Sequence, residues 1–168
     1  MGGPGLGQDV YVLDPFEVTG IGSACFNPLV ELELAADDFA EDAGLFADAL
    51  ITHPDRGERH WPESAQGLLR ALILVALADP DPARRNLVTV RRLPMLTDES
   101  IDDKLFSRPR TFDEAEGRDA GKMTGQEALL ENLREQMGPH RAICLGVADH
   151  LEGMGDRELG SVLSPLAL

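Results

Sequence analysis

The side chains of this sequence that could do chemistry begin with Lys122 and Thr124, which follow the glycines Gly117 and Gly121. A phosphate-binding P-loop has four residues between its glycines, then a lysine directly followed by serine or threonine, and it joins a strand to a helix. Here three residues separate the glycines, Met123 follows the lysine, and the lead-in is polar and acidic. The stretch therefore does not predict a P-loop.

The histidines and serines show no catalytic or metal-binding spacing. His53, His60, His140 and His150 are scattered, and no two of them have the spacing of metal ligands. His150 and Glu152 would face different sides of a helix, and the serines lack a nucleophile-elbow sequence. The sequence thus predicts no metal, no cofactor and no catalysis by this chain itself.

The acidic surface is the stronger functional candidate, because the 168 residues carry a formal charge of −15. That charge argues against a bare nucleic-acid interface, which needs clustered lysine and arginine, and it favours basic partners. A run of charge is also often only the solvated face of a helix. Two clusters form the predicted partner-binding surface: Glu31, Glu33, Asp37, Asp38, Glu41 and Asp42 in the first, and Asp98, Glu99, Asp102 and Asp103 in the second.

Composition favours a helical fold. A hydrophobic content of 43% suits one compact domain, and only 5% aromatic residues means a core of Leu, Ala, Val and Ile, as in a helical bundle. We predict a mainly α fold of about five to seven helices, preceded by a short strand at 10–13 that ends before Pro15. Cys25 and Cys144 lie among apolar neighbours and are predicted to be reduced core residues. No apolar run approaches the roughly 18–20 residues of a membrane span.

Apolar residues at three- and four-residue spacing place the helices and their buried faces. The first three predicted helices cover 39–51 after a cap at Asp37 or Asp38, 60–76 with Pro62 in the first turn, and a short segment capped by Thr89 and interrupted by Pro94. The others cover 98–107, 124–137 with a Thr124–Glu127 capping box, 142–151, and a last segment that Asp156 caps and that ends at Leu163. The predicted buried set is Phe39, Phe46, Leu50, Trp61, Leu68, Leu69, Leu72, Ile73, Leu130, Leu133, Ile143, Val147 and Leu151.

Several short motifs occur in a distinctive order. A strand ending in Leu13, Asp14, Pro15 and Phe16 is followed by Phe26–Leu29, an Asp- and Ala-rich helix, a helix that opens with His60 and Trp61, then Asn86–Arg92 and, near the end, 157–164. This order resembles the type IV secretion coupling proteins, the hexameric ATPases that pass DNA and proteins to a conjugation or secretion channel.

The resemblance implies how the chain is divided. In that family the phosphate-binding loop precedes the first of these motifs and the magnesium-binding strand follows the last, so ATP and magnesium belong to the full-length protein. Residues 1–9 would be a disordered start, 10–34 a strand and loop from the edge of the RecA-like ATPase sheet, 35–164 an all-α substrate-receptor domain and 165–168 a tail. Asp14 would either end a sheet strand near the nucleotide face or form only a turn before Pro15.

The function that the resemblance implies is recruitment of protein or nucleoprotein substrates to the channel. The partners would be basic secretion-signal segments of effectors, relaxase or adaptor proteins, and other ATPase-domain subunits, with little DNA binding and no direct membrane contact. The location would be cytoplasmic, at the inner face of the bacterial inner membrane. Two alternatives stay open: a free-standing adaptor or immunity-type protein derived from a coupling-protein gene, and a small nucleotide-binding enzyme that uses Lys122 and Thr124.

Overall fold

The fold is a bundle of α-helices, as the sequence predicts. The computed structural model describes residues 9–14, 16–51, 60–95 and 125–164. These ranges contain six α-helices: α1 Phe39–Leu50, α2 His60–Leu77, α3 Leu87–Arg92, α4 Gly125–Glu135, α5 Arg141–Glu152 and α6 Asp156–Leu163. Short 3₁₀-helices cover Pro28–Glu31, Pro82–Arg84 and Leu93–Met95.

Helix α2 lies at the centre of the bundle. It packs against α1, α3, α5 and α6, while α4 packs on α5. Every residue from Ala71 to Leu77 is buried, so this part of α2 is covered on all sides rather than along one stripe. A helix that is apolar all round needs such an enclosure, and the neighbouring helices supply it mainly with Leu, Ala and Val side chains.

The strand predicted at 10–13 is not formed. The described residues contain no strand. The Ala24 amide donates to the Val12 carbonyl at 2.7 Å and the Asp14 amide donates to the Ser23 hydroxyl at 2.9 Å, so isolated bonds join this extended segment to the chain that returns beside it. A strand requires a ladder of such bonds, and two short segments on their own are marginal. We call residues 9–27 the N-terminal arm.

Three helix boundaries differ from the sequence prediction. Asn86, not Thr89, caps α3, because its side-chain oxygen accepts the Thr89 amide at 3.0 Å. Gly155 precedes α6 and donates its amide to the Glu158 carboxylate at 3.4 Å, so Asp156 begins that helix instead of capping it. Helix α4 ends at Glu135, and Met137 is exposed.

The predicted core is mostly confirmed. Leu68, Leu69, Leu72, Ile73, Leu130, Leu133 and Leu151 are buried, and Phe39, Phe46, Ile143 and Val147 are partly buried against them. The prediction that Leu50 is buried is wrong. This last residue of α1 is 37% exposed, and Ile51 is buried in its place. The side chain of Trp61 and the helix predicted at 98–107 lie outside the described residues, as does Thr124.

The two cysteines occupy opposite environments. Cys144 on α5 is fully buried, and burial raises the pKa of its thiol to about 11. Cys25 is exposed on the N-terminal arm, so its assignment to the core is wrong. Its apolar neighbours Phe26 and Ile21 are themselves exposed, which means that apolar sequence context did not indicate burial here.

A pair of Leu→Ala substitutions tests the central role of α2. Leu72 is fully buried, whereas Leu45 on α1 is 68% exposed. We expect Leu72→Ala to lower the free energy of unfolding by about 2–5 kcal/mol, since it removes buried surface and leaves a cavity. Leu45→Ala should change it by less than about 0.5 kcal/mol. Urea denaturation followed by circular dichroism measures both, and equal losses would contradict the central placement of α2.

Thiol titration tests the two cysteine environments. The native protein should react with Ellman's reagent at one thiol within minutes at pH 8, because thiolate reactivity follows exposure and pKa. Cys25→Ser should abolish this fast reaction, and Cys144 should react only after unfolding in denaturant. Rapid reaction of two thiols in the native protein would show that α5 does not bury Cys144.

Candidate partner-binding surface

Glu31 and Glu33 lie on residues 27–35, which we call the acidic segment and which are anchored to the bundle. Asn27 begins it: its side-chain oxygen accepts the Leu29 amide at 3.2 Å, and its amide nitrogen donates to the Arg85 carbonyl at 2.7 Å. Leu29 and Leu32 are buried beneath it. The two glutamates alternate with these leucines and are therefore exposed.

The remaining acids of the first cluster surround the start of α1. Asp38 is the N-cap of α1 without a side-chain hydrogen bond, and its carbonyl accepts the amides of Glu41 and Asp42 at 2.9 and 3.0 Å. Asp37, Asp38 and Glu41 are exposed, and Asp42 is partly buried. Carboxylates at this end of a helix also stabilise its dipole, so these charges have a structural role as well as a possible partner.

The second cluster lies outside the described residues, because Asp98, Glu99, Asp102 and Asp103 fall between 95 and 125. Their contribution to a shared surface stays a prediction. The first cluster, by contrast, lies within the described residues, and among these no ion pair engages its carboxylates.

A broader signal in the sequence enlarges the first cluster. Residues 1–51 contain no lysine, arginine or histidine. They carry ten carboxylates, Asp9, Asp14, Glu17, Glu31, Glu33, Asp37, Asp38, Glu41, Asp42 and Asp48, so most of the net charge of −15 resides in this first third of the chain. Counting charge by segment rather than by short clusters would have shown that the N-terminal third is one acidic region.

Two of the described arginines pair with acids elsewhere in the fold. Arg84 lies 3.9 Å from Asp79 and 3.6 Å from Asp81, at the corner between α2 and α3. Arg134 on α4 contacts Glu152 and Asp149 of α5, and these two carboxylates raise the pKa of its guanidinium. Because these arginines are already engaged with other acids, the first cluster keeps its full negative charge toward solvent.

The Asp14 carboxylate is hydrogen-bonded to neighbouring residues of the N-terminal arm. Its carboxylate accepts the Val18 amide at 3.0 Å and both the amide and the hydroxyl of Thr19, at 2.7 and 2.6 Å. The Thr19 hydroxyl is the main cause that lowers the pKa of this carboxyl. The side chain therefore organises the turn of the N-terminal arm, in which Glu17 has a φ of 53°. Of the two roles considered for Asp14, these contacts fit the formation of a turn.

The histidines of α5 take part in packing. Nε2 of His150 lies 3.1 Å from the buried Ser64 hydroxyl of α2. His140 is buried before α5, with Nε2 3.2 Å from the Gln136 side-chain oxygen, and burial lowers the pKa of its imidazole. Within the described ranges no three His, Cys, Asp or Glu side chains are close enough to share a metal ion. The helix predicted at 142–151 is confirmed as α5.

The described helices include none with the length and apolar character needed to cross a membrane.

Comparison with known proteins identifies the family. A sequence model of the type IV secretory system conjugative DNA transfer family matches residues 5–142. No curated protein and no solved structure matches the chain significantly. The match covers most of the 168 residues and includes the N-terminal arm, the acidic segment and the helices from α1 to α4. The chain therefore belongs to the type IV secretory system conjugative DNA transfer family, which confirms the resemblance found in the order of its motifs.

Proposed function

We propose that this chain is the substrate-receptor part of a type IV coupling protein and that its acidic N-terminal third recruits basic protein segments to the transfer channel. The family match supports a role in DNA transfer. The partners would be secretion-signal segments of effectors, or relaxase or adaptor proteins, and complementary charge would speed their encounter and discriminate between them.

Glu31 and Glu33 carry this proposal. Glu31 is the last residue of a four-residue 3₁₀-helix, too short to have a substantial dipole, and Glu33 lies outside any helix. Neither makes an ion pair within the described part of the chain, although buried leucines on either side fix their position. Two exposed, anchored charges without a local structural role are the best support for a partner outside the chain.

The N-terminal arm would join this domain to the rest of the ATPase. It exposes large apolar side chains that the bundle does not cover: Val10, Tyr11, Leu13, Phe16, Val18, Ile21 and Phe26. So many exposed large apolar side chains in one short stretch are typical of a surface that contacts another domain or subunit. In the full-length protein we propose that the N-terminal arm packs on the ATPase sheet, on the cytoplasmic side of the inner membrane, and that ATP and magnesium bind there.

A charge-matched pair of variants tests recruitment. Overlapping peptides from relaxase and adaptor proteins of a conjugation system provide the probes. We expect the bound peptides to be basic and the affinity to fall as salt rises from 50 to 300 mM, through screening. Glu31→Gln with Glu33→Gln should weaken binding about 2- to 30-fold, at about 0.2–1 kcal/mol per exposed charge pair.

The control for this test removes the same charge elsewhere. Glu63→Gln with Glu131→Gln neutralises two exposed glutamates of α2 and α4. It should leave affinity nearly unchanged, because those positions lie outside the acidic third. Equal weakening by both double variants would show an effect of net charge alone. Tight, salt-sensitive binding of single-stranded DNA in place of basic peptides would also contradict the proposal.

Nucleotide binding tests the remaining enzyme hypothesis. We propose that this chain neither binds nor hydrolyses ATP by itself. Met123 separates Lys122 from Thr124, and three residues rather than four separate the preceding glycines, so this stretch lacks the spacing of a P-loop. Addition of 5 mM Mg-ATP should therefore leave the melting temperature unchanged. A stabilisation by ATP that Lys122→Ala abolishes would instead support a small nucleotide-binding enzyme.

A further inference from the structure

An open groove lies beside the acidic segment. It has a volume of about 570 Å³ and runs between residues 29–35 and the corner where α2 ends. The apolar part is formed by Leu29, Leu32 and Leu34 from one side and by Leu77, Ala78 and Pro82 from the other. Leu29, Leu32 and Leu77 are buried at its base, so the aliphatic side chains that reach its surface are Val30, Leu34, Ala35 and Pro82. Polar groups, including Glu33 and Arg85, form the rest of that surface.

Both walls of the groove are held in place. The Asn27 side chain donates to the Arg85 carbonyl at 2.7 Å and ties the acidic segment to the corner. Nε of Arg85 donates to the Asp79 carbonyl at 2.9 Å. Asp81 accepts the Ala83 amide at 3.0 Å, which fixes the turn after α2. A groove between two anchored walls is largely pre-formed, and a ligand loses less free energy to ordering there.

The charges around the groove specify its occupant. Glu33 lines it on the acidic side, with Glu31 next to it, while Arg85 lines the opposite side. Val30 is exposed at the groove, where it extends the apolar surface to solvent. A fitting ligand presents an aliphatic side chain to the leucines and a lysine or arginine to Glu33, and Arg85 disfavours a second cation on its own side.

We propose that this groove binds a short segment of a basic protein through one or two aliphatic side chains placed next to lysine or arginine. The inference rests on the proposed function, because the same acidic segment attracts the partner. It adds that charge alone does not select the partner: the aliphatic side chain must also leave water, and this contribution does not depend on salt.

Two capped peptides of equal charge separate these contributions. The probes are the acetylated and amidated hexapeptides Lys-Lys-Leu-Leu-Lys-Lys and Lys-Lys-Ser-Ser-Lys-Lys, titrated into the protein and followed by methyl and amide NMR shifts. We expect the leucine peptide to bind about tenfold more tightly, through partial burial of its aliphatic groups. Its methyl shifts should be confined to Leu29, Val30, Leu32, Leu34 and Leu77.

A variant that fills the groove without changing charge is the decisive comparison. Ala35 lines the groove and is exposed, so Ala35→Trp should fill it and reduce the affinity of the leucine peptide to that of the serine peptide. Ala49 is exposed on α1 and does not line the groove, so Ala49→Trp should preserve the tenfold preference.

The outcomes distinguish the groove from the recruitment function. Equal affinity for the two peptides, or an undiminished preference in Ala35→Trp, overturns the groove proposal. If Glu31→Gln with Glu33→Gln still weakens both peptides in that case, recruitment through charge stands. Absence of binding by either peptide at 50 mM salt overturns both proposals together.

Discussion

The structure depends on the enclosure of helix α2. From Leu68 to Leu77 its residues are buried except for the partly buried Arg70, so four other helices must contact it at once. Leucine and alanine suit this arrangement, because small and unbranched side chains let helices approach closely while still excluding water. The low aromatic content is therefore consistent with a bundle whose central helix is surrounded, rather than with a sheet or a sandwich.

This enclosure determines where polar groups can be. Polar side chains at the ends of α2 find partners: Ser64 with His150 near the first turns, and Arg85 with the Asp79 carbonyl after the last. In the middle of the helix, the buried Nε of the partly buried Arg70 has no hydrogen-bond partner among the described residues. An unpaired charge inside such a bundle would cost several kcal/mol, on the order of what the whole domain has in reserve. Most of the described acids are accordingly at the periphery, and the N-terminal third, which contributes little to the core beyond Leu29, Leu32 and α1, carries ten of the thirty carboxylates of the sequence and no lysine, arginine or histidine.

How much the sequence predicts follows from the range of the interactions involved. The buried stripe of α2 and the interruption at Pro94 depend on local spacing and were predicted, as was the helical nature of 143–149. Cys25, the strand at 10–13 and the outward turn of Leu50 depend on which surfaces the rest of the chain offers, and apolar neighbours in sequence did not reveal this. Glu31 and Glu33 were proposed as partner-binding residues from their charge, but their anchoring through Asn27 and Arg85 joins positions 58 residues apart and has no local signal.

The coincidence of an acidic segment with an aliphatic groove has a physical consequence for selectivity. Electrostatic attraction acts over about a Debye length, roughly 8–10 Å at moderate salt, and tolerates many arrangements of charge, so on its own it would collect any basic protein. A groove bounded by Leu29 and Leu77 acts only at contact and rewards shape. Because Leu29 and Leu32 both anchor the acidic segment and contribute to the groove, the two effects are fixed in register with each other. Under the proposed recruitment function, this combination of long-range capture and short-range fit would let a transfer channel admit a few proteins among many basic ones.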